Sequence, residues 1–234
     1  MRIFAISDLH LALAEDKPME VFGTGWEDYM RRIRENWQQT VSSDDLVLLP
    51  GDISWVTYLN DAGPDFQYIE TLPGRKIITK GNHDYWWTTK NKLNEYLERE
   101  NLKSISFLQN NACFFGNVVI TGSRGWKSPQ EDGFTSEDEK IYNRELERLK
   151  LSLQETEGFN GTVITMLHYP PFGSRGKPTG FVDLLNQFHV DICIYGHLHG
   201  KKCQNAVEGV SGGVRYHLVS ADQLAFKPLM LGEW

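Results

Sequence analysis

Short apolar runs at residues 2–6, 46–49, 76–79, 104–108, 117–121, 162–167, 190–195 and 214–219 alternate with segments of helical periodicity, and this alternation restricts the fold more than any other feature. The runs are mostly β-branched and too short for helices, so the pattern predicts strands. Helices are expected at residues 26–39, 59–71, 88–100 and 137–155, with a shorter one near 181–187. Ser136 with Glu139 predicts a capping box that opens the fourth helix, and Gly158 supplies its stop. With no repeat or long linker, the chain reads as one α/β domain over residues 1–234. Open α/β sheets bind ligands beyond the carboxyl ends of their strands, which directs attention to the loops there.

Five of those loops carry polar clusters: Asp8-Leu9-His10, Gly51-Asp52, Gly81-Asn82-His83-Asp84, Leu167-His168-Tyr169-Pro170 and Gly196-His197-Leu198-His199-Gly200. They hold five of the seven histidines of the chain. Alternation in extended backbone puts Asp8 on the same side as His10, and His197 on the same side as His199, so each pair converges on one spot. Gly51, Gly81 and Gly196 allow the sharp turns that bring backbone close to an ion. Carboxylate, amide and imidazole donors suit Mn, Fe or Zn, whereas a soft-metal site needs thiolates and Cys113, Cys193 and Cys203 all lie outside the clusters. Taken one at a time, GD or a lone histidine is an ordinary turn or core residue. Five clusters after five strands would instead leave many polar groups without partners unless a metal were bound. His189, at a helix-to-strand junction, and His217, alternating within a strand, read as structural.

The ordered set DxH, GD, GNHD, H and GHxH, running from residue 8 to residue 199, resembles the calcineurin-like metallophosphoesterase superfamily. The resemblance implies a four-layer α/β/β/α sandwich, two central mixed β-sheets flanked by helices, with a dinuclear centre of two divalent or mixed-valence transition metal ions at the sheet ends. Carried over by motif, Asp8, His10, Asp52 and His199 would hold one metal and Asp52, Asn82, His168 and His197 the other, with Asp52 as the bridge. The resemblance also implies a catalytic role for His83, protonating the leaving oxygen or stabilising its charge, with Asp84 as a candidate to orient the ring. Protein phosphatases of the family usually continue the second motif as GDxxDRG, but here it reads Gly51-Asp52-Ile53-Ser54-Trp55 and lacks that arginine. Arg124, after the strand ending at Thr121, is the expected substitute for binding phosphate, with Arg75 and Lys80 as weaker candidates. Trp55, Trp86, Trp87 and Trp126 lie beside the motif loops, where aromatic rings could stack on a substrate.

Composition limits the partners. Of the 234 residues 40% are hydrophobic and 24% charged, which is ordinary for a globular chain. A net charge of -7 with no basic stripe argues against an extended nucleic-acid footprint. No apolar run approaches the ~20 residues of a bilayer crossing, and Asp8 comes too early for a signal segment, so a soluble, cytoplasmic protein with reduced cysteines is expected. Two divalent ions would outweigh Asp8, Asp52 and a bridging hydroxide, making the site locally positive and attractive to a phosphate ester. The expected function is metal-dependent hydrolysis of a small soluble phosphomonoester or phosphodiester by in-line attack of that hydroxide. The alternatives are a serine/threonine-type protein phosphatase, which the missing arginine disfavours, and a non-catalytic metal-binding module, which the retained His83 disfavours.

Overall fold

In a computed structural model, which describes residues 1–15, 17, 19 and 25–234, the apolar runs become strands of two sheets. In chain order the strands are β1 (Arg2–Ala5), β2 (Leu46–Pro50), β3 (Arg75–Thr79), β4 (Ile105–Phe107), β5 (Cys113–Phe115), β6 (Val118–Ser123), β7 (Thr162–Leu167), β8 (Ile192–Tyr195), β9 (Gly209–Ser211), β10 (Val214–Leu218) and β11 (Leu229–Glu233). The helices are α1 (Tyr29–Thr40), α2 (Gly63–Glu70), α3 (Lys90–Arg99), α4 (Ser136–Gln154) and α5 (Gly180–Gln187). One sheet has the order β11-β1-β2-β3-β4 and the other β5-β6-β7-β8-β10-β9. Neighbours are parallel within β1 to β4 and across β6, β7, β8 and β10. Strands β11, β5 and β9 close edges in antiparallel register.

Alternation along the strands builds the layers. Ile3, Ala5, Leu46, Leu48 and Ile77 of the first sheet meet Ile120, Ile164, Met166 and Ile194 of the second, so the two sheets pack face to face. The intervening residues Phe4, Val47, Leu49 and Ile78 point outward against Ile33 and Trp37 of α1, Phe66 and Ile69 of α2, and Leu93 and Tyr96 of α3. On the far side, Val119, Val163, Leu167 and Cys193 pack on Leu149 and Leu153 of α4 and on Phe181 and Leu185 of α5. The result is the expected four-layer α/β/β/α sandwich, whose parallel strands are apolar on both faces because both faces are covered.

Three boundaries depart from expectation for local reasons. The second helix begins late because residues 59–61 form a 3₁₀ turn and Gly63-Pro64 restarts the chain as α2. Asp28, in the left-handed region at φ +51°, keeps α1 from reaching back to Trp26. The capping box of α4 pairs Thr135 with Asp138, not Ser136 with Glu139. Asp138 Oδ2 accepts the Thr135 amide at 2.9 Å and also meets Lys127 at 2.8 Å, a second partner that fixes the register. Among the described residues no helix is long and apolar enough to cross a membrane.

Candidate metal centre

The carboxyl ends of β1, β2 and β3 in one sheet and of β7, β8 and β10 in the other open toward the same region, and their loops are tied together by backbone. Asp8 N–H donates to Gly51 O and His10 N–H to Asp52 O, both at 3.0 Å. His197 N–H crosses from the second sheet to Asp8 Oδ2 at 3.0 Å, and Gly196 N–H reaches His168 O at 3.1 Å. A Cβ on Gly81 would collide with the Asp52 backbone and carboxylate, and one on Gly196 with Ser7 and Asp8, so the loops approach this closely only with glycine. Asp8, His10, Asp52 and His197 all lie at positive φ, between +46° and +72°, a conformation that costs a non-glycine residue about 1–3 kcal/mol each. Four such residues in one cluster indicate a backbone shaped around the site.

The side chains converge in two overlapping groups. Donor atoms of Asp8, His10 and His199 lie within 4.8 Å of one another, as do those of Asp8, Asp52 and His168. Asp8 belongs to both groups, and Asp52 Oδ2, 3.9 Å from His10 Nε2 and 3.4 Å from His168 Nε2, also stands between them. Asn82 Oδ1 lies 2.7 Å from His168 Nε2 and 2.8 Å from His197 Nδ1, which gathers the remaining expected ligands.

The donor chemistry fits a cation. His168 Nδ1 donates to the Pro50 carbonyl at 3.0 Å. A carbonyl only accepts, so Nε2 of the neutral ring carries a lone pair, and it faces the lone pairs of Asn82 Oδ1. Burial lowers His168 to about 4, and likewise His10 and His197 to about 3, so these rings offer free nitrogens rather than protons. Burial raises Asp52 well above the carboxylate range, and the charges of Asp8 and Asp84 add to it. Acceptors facing acceptors and carboxylates crowded together are what a divalent ion relieves.

His83 and Trp55 reach the same place. The Trp55 ring stacks on His10 at 4.9 Å and lies 4.6 Å from the His83 ring. Among the described residues His83 Nδ1 is buried without a hydrogen-bond partner, and burial lowers the pKa of the ring. Above these rings opens a cavity of about 720 Å³ lined in part by Trp26, Trp55, Phe226, Arg32, Lys201 and Lys202.

Five expectations are corrected. Asp84 does not orient His83: its carboxylate accepts the amides of Gly81, Asp52 and Ile53 at 2.7 to 2.9 Å, clamping the second and third motif loops together. Arg124 points away from the cavity, its guanidinium paired with Glu145 Oε1 at 3.1 Å and lying 4.4 Å from the Trp126 ring. The site uses Arg124 through its backbone instead, whose carbonyl accepts the amides of His168 and Tyr169 at 3.0 Å each. Trp86 is a core residue, edge-on to Phe66 at 5.1 Å. Trp87 packs edge-on to Phe107 at 5.2 Å and lines a different cavity. Trp126 likewise packs on Tyr169, with its indole N–H on Asp138 at 3.2 Å.

The sequence reading passed over two residues of the site. Asp222, just beyond β10, accepts His199 Nδ1–H at 2.8 Å and Gly200 N–H at 3.0 Å. Its position after a strand end is the signal that marked the other clusters. Trp26 sets its ring 6.0 Å from His10 and 5.7 Å from His199, and nothing in its local sequence marks it.

No curated protein matches the sequence significantly. In fold the chain is similar to a protein of unknown function from Aquifex aeolicus, at 18% identity and TM-score 0.51, over 98% of this chain and 95% of that one. It is similar to phosphopantetheinyl hydrolase from Mycobacterium tuberculosis, at 11% identity and TM-score 0.55, over 94% and 88% of the two chains. It is similar also to a Thermus thermophilus protein, at 12% identity and TM-score 0.56, over 99% and 98%. At these identities the likeness concerns the fold. The sequence itself matches the model for calcineurin-like phosphoesterases over residues 1–201, a span that includes the motif loops from Asp8 to His199. By that match the chain belongs to the calcineurin-like phosphoesterase family.

Proposed function

We propose that residues 1–234 form one catalytic domain that hydrolyses the phosphate ester of a small molecule, using two transition metal ions drawn from Mn, Fe and Zn. The observation that carries this reading is the meeting of His168 Nε2 and Asn82 Oδ1 at 2.7 Å, two acceptors that need a cation between them. Asp8, His10, Asp52 and His199 would hold one ion, and Asp52, Asn82, His168 and His197 the other. When bound, such a pair supplies an activated water and a clamp for phosphoryl oxygens.

The chain's own side chains account for the rest. Asp222 holds His199 with Nε2 toward Asp8 Oδ1, 3.4 Å away. Asp84 keeps the Asp52 loop in register. The His83 ring lines the cavity, placed to hydrogen-bond the leaving oxygen as its charge develops. The apolar rings Trp26, Trp55 and Phe226 would receive the organic part of the substrate, and Arg32, Lys201 and Lys202 favour its negative charge. A concave cavity suits a small molecule better than a phosphorylated protein segment. Three free thiols, Cys113, Cys193 and Cys203, accord with action in the reducing cytoplasm.

The test is a panel of aryl and alkyl phosphomonoesters and phosphodiesters with added Mn²⁺. Turnover should depend on metal and vanish with chelator. His83→Ala should lower kcat by roughly 10²- to 10⁴-fold, more for poor leaving groups, with metal content unchanged. A protein that binds metal but turns over nothing in the panel would support the binding-module alternative. Loss of metal from His83→Ala would show that His83 is a ligand.

A further inference from the structure

On the other side of the Lys80–Thr89 segment lies a second cavity of about 320 Å³, which shares no lining residue with the metal cavity. Its walls carry Lys80, Arg124 and Arg148, but only one carboxylate, Glu145. Both arginines meet the same atom of that carboxylate, Glu145 Oε1, at 3.1 and 2.6 Å. Among the described residues the Lys80 ammonium, on the cavity wall, has no ion-pair partner within 4.0 Å. Two polar atoms of the same walls, Arg124 Nε, a donor, and Gln109 Oε1, an acceptor, are both buried without a hydrogen bond among the described residues. The amino terminus of α3, whose cap residue Thr89 makes no side-chain capping bond, adds its partial positive charge.

A ligand that satisfies these groups has negative oxygens for Lys80, Arg124 and Arg148 and a hydrogen-bond donor for Gln109. An ionised carboxylate or sulfate offers acceptors only. Hydrogen phosphate offers both, because it keeps one P–OH beside its charged oxygens. We propose that this cavity is a binding site for inorganic phosphate, separate from the metal centre. The site does not depend on the catalytic reading, although a phosphomonoesterase would release this same anion as product.

Calorimetric titration of the manganese-loaded protein with inorganic phosphate tests it. The expected result is two classes of site, one lost with chelator and the other retained. Lys80→Met and Arg148→Gln should each weaken the chelator-resistant class at least about tenfold, while Lys80→Arg preserves it. Sulfate should bind that class about tenfold more weakly than phosphate, for want of a donor. Among the described residues Lys80 has no ion pair to lose, so Lys80→Met should fold normally, which a thermal scan would verify. Absence of a chelator-resistant class, indifference of that class to both substitutions, or equal affinity for sulfate and phosphate would each overturn the proposal.

Discussion

Asp222 controls which nitrogen of His199 is available. Its carboxylate accepts Nδ1–H at 2.8 Å, which leaves Nε2 toward Asp8. Burial works against a charged ring here, but hydrogen bonds to Asp222 and Asp8 raise His199 to about 10, so this ring bridges two carboxylates as an imidazolium. A metal ion held by His199 would take the place of the Nε2 proton, while Asp222 would keep the other. Asp222→Asn should therefore weaken metal binding by about 10- to 100-fold, the usual worth of such an outer carboxylate, with little effect on folding. Competition with a metal indicator would measure the change, and unchanged affinity would remove Asp222 from the site. The same histidine shows what a sequence conveys at this scale. Residues in compact motifs, such as His197 and His199, announce themselves by spacing, whereas Asp222 is joined to them only by the fold. Arg124 fails for the complementary reason: its place after a strand is legible in the sequence, but Glu145, which captures its guanidinium, stands on α4 and is invisible in the local sequence.

At the scale of elements, periodicity revealed every central strand and left three edges unread. The β5, β9 and β11 segments are short, and their residues are mostly half-buried or exposed, so they lack the sustained apolar run that identifies a strand. They owe their form to the neighbours they pair with. Strand β3 carries the opposite anomaly, a lysine in a fully buried position. Lys76 Nζ donates to the Leu72 carbonyl and to Ser104 Oγ, the latter at 3.0 Å. Burial lowers its pKa from 10.5 to about 8, with Glu70 opposing the shift. Between those two values the unfolded chain holds a proton that the folded chain has released, so this group adds stability as pH rises through the window. Below about 8 both states are protonated and the cost of the buried charge is fully present. Lys76→Met should thus gain most over the parent at neutral pH, and the gain should shrink toward pH 10.5. Taking the difference between the two proteins cancels the tyrosines and cysteines, which titrate in that range in the unfolded chain and are raised by burial in the folded one. A difference independent of pH in denaturant titrations would show that Lys76 is not held in the buried geometry.

For the whole molecule, the candidate metal centre is the place where the two sheets are joined by charged groups rather than by apolar packing. Asp8 and Asp52 come from the first sheet, His168 and His197 from the second, and the loops between them are held in left-handed backbone. The apolar layer between the sheets is complete without the site, so the fold should persist when metal is removed. The cost then falls on the crowded carboxylates, because Asp52, Asp8 and Asp84 are all fully buried. An ion at 100 times its dissociation constant stabilises the folded state by about 2.7 kcal/mol. For a chain of this size that corresponds to a rise in Tm of roughly 5 to 10 °C for one site. Chelation should lower Tm by at least that amount in one cooperative transition, since both sheets contribute candidate ligands. Asp52→Asn separates the two effects. Asparagine keeps the carbonyl oxygen that accepts His83 N–H, at 2.8 Å in the parent, but removes a charge from the buried cluster. The variant should therefore melt higher than the parent in chelator and gain less from added Mn²⁺, reversing their order between the two conditions. Scanning calorimetry of both proteins with and without metal would reveal that reversal. A parent whose Tm ignores chelator, or a variant that melts lower in both conditions, would mean that Asp52 is part of the packing and not the shared ligand of two ions.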